Sequence, residues 1–126
     1  MALTIEDKLE IHELYTRYNH AIDSGDGPAW AATFTPDGVL ETSIGSPSGT
    51  KELIEFCDTL NANYRPRHWV NNLLLEETPT GVTGRCYLMG LLLGEQPGIS
   101  NTAIYEDEIV RTPSGWRFAR RVVNND

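Results

Sequence analysis

The chain has 126 residues, 40% of them hydrophobic, and a formal net charge of -8 from 10 Lys and Arg against 18 Asp and Glu. This length favours a single domain over residues 1–126, and the acidic balance lacks the basic surface that nucleic-acid binding requires. No stretch approaches the roughly 20 apolar residues of a membrane span, and the first residues lack a signal-peptide pattern, so we expect a cytoplasmic protein without nucleic-acid or membrane partners.

The first predicted element is a long amphipathic helix that begins after Thr4 and ends near Ser24. Thr4 with Asp7 three residues later is a typical N-cap arrangement, and Gly25 is a typical stop. At about 100° per residue the apolar side chains gather on one face. Polar side chains follow its flank at every fourth position: Tyr15, Asn19 and Asp23. We expect this flank to form a pocket wall.

Two shorter helices are predicted next, over residues 27–34 and 50–63, on either side of a short strand at residues 39–44. Asp26 precedes the first of them as its N-cap, and Thr50 is the predicted cap of the second. Their aromatic and aliphatic side chains recur at helical spacing, which indicates packing against a core.

From residue 67 onward the pattern becomes extended. Apolar runs separated by turn signals predict four antiparallel strands, at residues 67–77, 82–94, 101–111 and 116–123. Gly84 and Gly90, inside the second of these, suggest bulges or bends that curve the sheet. Helices first and strands second indicate an α+β fold, with helices covering one face of a curved sheet.

His68 opens the first of these strands, and strand alternation would place Val70 and Asn72 on its face. A neutral imidazole beside a carboxylate is the smallest side-chain pair that moves a proton near neutral pH. If Asp23 meets His68 in space, the two predict proton-transfer chemistry with Asn72 beside them. The alternatives are a structural His68 and an Asp23 that only caps the turn after its helix.

Neither a metal nor another cofactor is implied by the sequence. His12 and His20 differ in azimuth by about 80° on the first helix, and no H-x-x-x-H or H-x-x-x-E spacing directs two ligands toward a pocket with His68. The spacing of a phosphate-binding loop is also missing. Cys57 and Cys86 have no C-x-x-C spacing, so we expect reduced, buried thiols.

Three groups of residues carry a resemblance to a known family. They are Leu14-Tyr15-x-x-Tyr18-x-x-Ala21-x-Asp23-x-x-Asp26, Arg67-His68-x-x-x-Asn72, and Tyr105-x-Asp107-x-x-x-Arg111-x-x-x-Gly115-Trp116-x-Phe118. Together with the element order they resemble the SnoaL-like branch of the nuclear-transport-factor-2-like superfamily over nearly the whole chain. The resemblance implies a cone-shaped α+β barrel, in which three N-terminal helices pack on a strongly curved mixed or antiparallel sheet.

That superfamily includes polyketide cyclases, scytalone dehydratase, a dehydrochlorinase and non-catalytic binders. Several of its lyases use a His/Asp pair, and Asp23 and His68 fall at those positions. The resemblance therefore implies His68 as the base and Asp23 as its partner. Side chains expected to contact the substrate are Asn72, Tyr15, Tyr18, Asn19 and Tyr87. The first-helix lysine of the dehydrochlorinase is replaced here by Tyr18, which disfavours dehydrochlorination.

The sequence thus favours a cofactor-independent dehydratase, isomerase or cyclase that acts on a small hydrophobic oxygenated ring compound. The alternative is a non-catalytic small-molecule-binding protein or a structural subunit of the same fold. Apolar residues occupy both faces of the strands, notably at Leu73–Leu75 and Leu91–Leu93. This pattern favours a homodimer or higher homo-oligomer formed through the sheet.

Overall fold

The computed structural model describes residues 2–126, as three helices and five strands. Their order is α1 (Ile5–Ser24), α2 (Gly27–Ala31), β1 (Phe34–Glu41), α3 (Thr50–Asn63), β2 (Pro66–Thr78), β3 (Gly81–Leu92), β4 (Gly98–Thr112) and β5 (Gly115–Asn125). None of the helices within residues 2–126 is both long and apolar enough to cross a membrane.

The strands form one mixed sheet in the order β1-β5-β4-β3-β2. The β2, β3, β4 and β5 strands pair antiparallel, as predicted, whereas β1 pairs parallel with β5. The predicted α+β class is confirmed. The sheet is an open cone rather than a closed barrel, because β1 and β2, the strands at its two ends, do not pair with each other.

The predicted bounds of α1 are confirmed, together with the signals at its two ends. Thr4 and Asp7 form a capping box in which each side chain accepts from the other residue's backbone N–H at 3.0 Å. Gly25 ends the helix with φ 74°, a left-handed conformation that glycine adopts without steric cost. The position of Asp23, just before this stop, is therefore fixed by local sequence.

The second helix is shorter than predicted, and the strand after it begins earlier. Helix α2 ends at Ala31, while Phe34 pairs with Phe118 of β5. Strand pairing outweighs the helical spacing here, and β1 contains an irregularity in its register between Phe34 and Val39. The cap of α3 is also corrected, since Gly49 at φ 85° is the N-cap and Thr50 is the first helical residue.

The helices cover one face of the sheet, here called the inner face, and the core lies between them. Alternate residues of β3 and β4 point into it, including Leu88, Ala103 and Tyr105. Gly84 lies against the Tyr15 hydroxyl, where a Cβ atom has no room. Glycine is needed at this position for close approach of α1 to the sheet. At Gly90, the other glycine of β3, the register of β3 against β4 shifts immediately afterwards, in agreement with the bend predicted there.

Candidate functional site

Asp23 and His68 meet at the junction of α1 and β2. Asp23 Oδ1 lies 2.5 Å from His68 Nδ1, and Asp23 Oδ2 accepts the backbone N–H of His68 at 3.1 Å. Both side chains are mostly buried, with 13% and 16% of their surface exposed. A carboxylate only accepts hydrogen bonds, so the proton on the ring belongs on Nδ1, which leaves Nε2 with its lone pair.

Strand order explains why the His68 N–H is available to Asp23. Within residues 2–126, β2 is an edge strand that pairs with β3 alone, so its other edge has no strand partner there. Helix α1 runs along that edge, and the Asp23 carboxylate takes the place of a strand carbonyl. The backbone of β2 and the imidazole ring are thereby held by one side chain.

Asn61 of α3 fixes the end of α1 from the other side. Its Nδ2 donates to the Ile22 carbonyl at 2.9 Å and to the Cys57 carbonyl at 3.0 Å. Because Ile22 precedes Asp23, this contact restrains the turn that carries the carboxylate. Arg67 adds a weaker contact, since its Nε lies 3.8 Å from Asp23 Oδ2 and half of its side chain is exposed.

A cavity of about 430 Å³, here called the inner cavity, lies between the inner face and the helices. The buried and half-buried part of its wall is mainly aromatic and aliphatic, and includes His68 together with Tyr18, Ile22, Trp30, Leu40, Phe56, Leu60, Leu88, Tyr105 and Val123. No carboxylate is among the described residues that line it. Such a space suits an apolar ring compound of two or three fused rings.

A wider groove of about 1270 Å³, here called the outer groove, runs from α1 across the outer side of β2. His68 borders both spaces, whereas Asp23, Asn19, His20 and Tyr87 line the groove alone. Tyr87 is half-exposed because it points away from the helices, next to inward-facing Leu88. Tyr87 therefore does not line the inner cavity, and its expected contact with the substrate stays a prediction.

Asn72 also departs from its predicted place. It has φ 56°, and the pairing of β2 with β3 is interrupted between Asn71 and Leu74. This bulge breaks the alternation that put Asn72 beside His68, and its side chain is exposed. Asn72 lines neither the inner cavity nor the outer groove.

Tyr15 is buried, but its hydroxyl donates to Asp107 and it borders neither space. Asp107 also makes a two-point ion pair with Arg121, at 2.7 Å and 2.8 Å, in which both side chains are fully buried. The expected substrate contact of Tyr15 is thus replaced by a structural one. Burial opposes the charge of Arg121, but the Asp107 carboxylate holds its pKa well above the usual value.

Arg121 lies behind the wall of the inner cavity. Its guanidinium carbon is 3.9 Å from the ring centroid of Tyr105 and 4.4 Å from that of Tyr18. Burial raises the pKa of both tyrosines, so each hydroxyl keeps its proton at neutral pH. Tyr18 lines the inner cavity, where its protonated hydroxyl can donate a hydrogen bond. Its expected contact with the substrate stays a prediction.

Asn19 lies one helical turn before Asp23 and lines the outer groove, where its Oδ1 is buried without a hydrogen-bond partner among residues 2–126. Cys57 and Cys86 are free and buried, and burial raises their pKa to about 11 and about 12. Both thiols stay protonated and unreactive at neutral pH. Within the same described range, no group of His, Cys, Asp and Glu is arranged to hold a metal ion.

Sequence reasoning missed the contributions of Trp30, Phe56 and Tyr105 to the cavity wall. Trp30 and Phe56 stack with ring centroids 5.9 Å apart, and Tyr18 meets Trp30 edge-on at 5.5 Å. Helical spacing marked the first two as core residues, but it does not distinguish a packed core from the wall of a cavity. Alternation along β4 could have placed Tyr105, which faces inward with Ala103.

The chain is similar to a known domain family and to several proteins. The model of the SnoaL-like domain matches residues 3–122. The uncharacterized protein Rv2910c of Mycobacterium tuberculosis is 28% identical over 124 residues, which cover 94% of this chain and 84% of that protein.

Two solved structures show the same architecture. A variant of Rv3472, a function-unknown protein from Mycobacterium tuberculosis, superposes with a TM-score of 0.92 at 31% identity, over 98% of this chain and 78% of its own. A nuclear-transport-factor-2-like protein with a cystatin-like fold, from Novosphingobium aromaticivorans, gives a TM-score of 0.86 at 24% identity, over 94% and 81% of the two chains. These descriptions name no substrate, so the reaction must be argued from the site.

Proposed function

We propose that this chain, which belongs to the SnoaL-like domain family, is a cofactor-independent proton-transfer enzyme acting on a small hydrophobic oxygenated ring compound. The observation that carries the proposal is the two-point contact of Asp23 with His68 at the wall of the inner cavity. A histidine held only for packing needs no carboxylate on its ring nitrogen, and a carboxylate fixes both ring orientation and tautomer.

His68 Nε2 removes a proton from a carbon next to a carbonyl group. The C–H bond breaks, its electron pair moves into an enolate, and the proton forms an imidazolium that Asp23 stabilises. The imidazolium then gives its proton back to another carbon of the enolate, to a β-hydroxyl that leaves as water, or to the alkoxide that forms when the enolate attacks an internal carbonyl. Isomerisation, dehydration and cyclisation therefore share the first step, which is the step that this dyad supports.

The growing negative charge on the substrate oxygen needs a hydrogen-bond donor. Tyr18 is suited to this role because it lines the inner cavity and burial raises the pKa of its hydroxyl. A donor in a water-poor cavity stabilises an oxyanion more strongly than the same donor in water. Arg121 behind the ring adds a fixed positive charge 4.4 Å from its centroid.

The inner cavity suits this chemistry better than the outer groove. Its deep wall contains buried side chains such as Tyr18, Trp30 and Tyr105. Trp69 and Tyr87, which line the groove, are 57% and 50% exposed. In the groove, water would protonate an enolate and would compete with the protein's donors for hydrogen bonds to its oxygen. For this reason we assign the substrate to the inner cavity and give the groove no catalytic role.

Turnover and binding should be measured separately on a panel of polyketide, steroid and β-hydroxy-carbonyl compounds. In Asp23→Asn the ring loses its charged partner, so we expect turnover to fall by about 10²-fold or more while binding stays within about twofold. Asp26→Asn is the matched control, since Asp26 is an exposed cap of α2 that lines neither the inner cavity nor the outer groove, and asparagine is an equally good cap. Equal turnover in Asp23→Asn and wild type would refute the dyad, and binding without turnover in the wild type would favour a non-catalytic binder.

A further inference from the structure

Trp30 is fully buried in the wall of the inner cavity, but its indole nitrogen has no partner. Its relative exposure is 0%, and Nε1 meets no hydrogen-bond acceptor among residues 2–126. Leaving a buried donor unsatisfied is unfavourable, and folded proteins rarely do so. The unpaired N–H therefore requires an explanation.

The other two tryptophans show how this chain normally treats an indole. Trp116 is as deeply buried as Trp30, and its Nε1 donates to Asp7 Oδ1 at 3.2 Å. Trp69 is more than half-exposed on the outer side of the sheet, where water can accept its proton. Trp30 alone among the three tryptophans has neither a protein partner nor solvent exposure.

The surroundings of Trp30 offer almost nothing but aromatic carbon. Phe56 stacks on its ring at an interplanar angle of 22°, and Phe34 and Tyr18 meet it edge-on, both at 5.5 Å. The Tyr18 hydroxyl is close enough for the indole N–H to lower its pKa in part, against the larger effect of burial, but the two do not meet hydrogen-bond geometry. No acceptor among residues 2–126 meets hydrogen-bond geometry with this N–H, and Trp30 lines the inner cavity, so an oxygen of a bound ligand can take that place.

We propose that the Trp30 indole N–H donates a hydrogen bond to an oxygen of the ligand, and so selects aromatic ketones and phenols over hydrocarbons of the same shape. The indole is a neutral donor, and no carboxylate lies among the described lining residues, so a neutral carbonyl or hydroxyl oxygen is the fitting acceptor. The neighbouring ring of Phe56 provides an aromatic surface for the ligand's ring system. This inference rests on the proposed function only in placing the ligand in the inner cavity.

The three tryptophans provide a test that does not depend on turnover. Protein labelled with ¹⁵N is titrated with 1-tetralone, a bicyclic aromatic ketone, and with tetralin, the same skeleton without oxygen. The indole signals are assigned with Trp30→Phe and Trp69→Phe variants. We expect the Trp30 indole proton to move downfield with 1-tetralone and not with tetralin. The Trp116 signal, already bonded to Asp7, should stay in place.

Affinity measurements on variants complete the test. In Trp30→Phe we expect 1-tetralone to bind about three- to tenfold more weakly and tetralin to bind within twofold of wild type, since one hydrogen bond is lost. Phe56→Leu is the matched control, and should weaken both compounds equally. The titration of the wild-type protein stays informative even if a variant does not fold.

Several results would overturn the inference. One is a Trp30 indole signal that does not respond to bound 1-tetralone, and another is a response of the Trp69 signal instead, which would place the compound in the outer groove. A third is an equal loss of affinity for both compounds in Trp30→Phe. The fourth is that 1-tetralone does not bind at millimolar concentration. If 1-tetralone forms the hydrogen bond with Trp30 but the protein does not catalyse proton transfer, the result would count against the proposed function alone.

Discussion

Asp23 contacts His68 through both of its carboxylate oxygens, one on the ring nitrogen and one on the backbone N–H. A carboxylate that merely capped the turn after α1 would bond to its own helix end, but both oxygens reach across to β2. The two residues are 45 positions apart, so the contact exists only because α1 lies along the free edge of the sheet. This geometry favours an oriented base over a helix cap.

Asn61 is expected to act as a positioning residue for that contact. In Asn61→Ala, the bonds to the Ile22 and Cys57 carbonyls are lost, and we expect the free energy of unfolding to fall by about 1–2 kcal/mol. Urea unfolding measures this directly. Asn63→Ala is the control, since Asn63 bonds the Thr59 carbonyl from an exposed position on the same helix. Equal effects of the two substitutions would show that Asn61 has no special role.

The ends of α1 and the inward direction of His68 could be predicted from sequence because both depend on local rules. The capping box of Thr4, the left-handed Gly25 and the alternation from His68 to Val70 each involve neighbours within a few positions. Local rules failed at Asn72, where a bulge inserts a left-handed residue that ordinary strand alternation does not reveal.

Sequence position and helical spacing also failed to predict the burial of Arg121 and the strand conformation of Phe34, because tertiary contacts determine both. Arg121 stands beside exposed Arg120 in sequence, yet it is fully buried because β4 places Asp107 opposite it. Phe34 continues the helical spacing of Trp30, yet it pairs with Phe118 as a strand residue. The unpaired indole of Trp30 has no sequence signal, since it depends on which atoms fail to reach it.

The buried ion pair between Arg121 and Asp107 is expected to dominate the response to core substitutions. Arg121→Met leaves the Asp107 carboxylate buried with Tyr15 as its remaining partner, so we expect a loss of about 3–5 kcal/mol in the free energy of unfolding. Arg120→Met removes a half-exposed pair with Glu41 and should cost less than about 1 kcal/mol. Similar losses in the two variants, by denaturant unfolding, would contradict this account.

Asp7 makes part of the stability depend on pH. The backbone N–H of Thr4 is the main group that lowers its pKa, and Trp116 and Arg111 lower it further against the opposing effect of burial. A lowered pKa in the folded state stabilises the fold above the unfolded value, and this contribution is lost as pH falls through the folded value. We therefore expect Asp7→Asn to be less stable than wild type at neutral pH.

Thermal unfolding across pH tests this expectation. The gap between Asp7→Asn and wild type should narrow below about pH 4, where the carboxyl becomes protonated in the unfolded chain. Glu6→Gln, exposed on the same turn, is the control and should give a small gap with no such narrowing. A gap for Asp7→Asn that stays constant from neutral to acid pH would rule out the proposed linkage.

A homodimer formed through the outer side of the sheet remains a prediction. Trp69, Tyr87 and Leu74 are 57%, 50% and 67% exposed there, and the depression around Leu74 carries both signs of charge from Arg85 and Glu106. A surface of mixed charge with an apolar centre can pair with its own copy across a twofold axis. We therefore expect a second copy of this chain to cover it.

Sedimentation at micromolar concentration tests this arrangement. Trp69→Ser should shift the protein toward monomer, whereas Ile5→Ser, which removes a 76% exposed residue of α1, should not. A monomeric wild type would refute the dimer without affecting the inner cavity.

The most direct test of the central claim is the exchange of hydrogen for deuterium at the carbon next to the carbonyl of 1-tetralone, measured by mass spectrometry in deuterated water. We expect wild-type protein to accelerate exchange above the buffer rate and His68→Ala to reduce the acceleration by about 10²-fold or more. His20→Ala, which removes a histidine that lines the outer groove and not the inner cavity, should behave as wild type. The claim is contradicted if His68→Ala exchanges as fast as wild type, or if bound 1-tetralone exchanges no faster than in buffer.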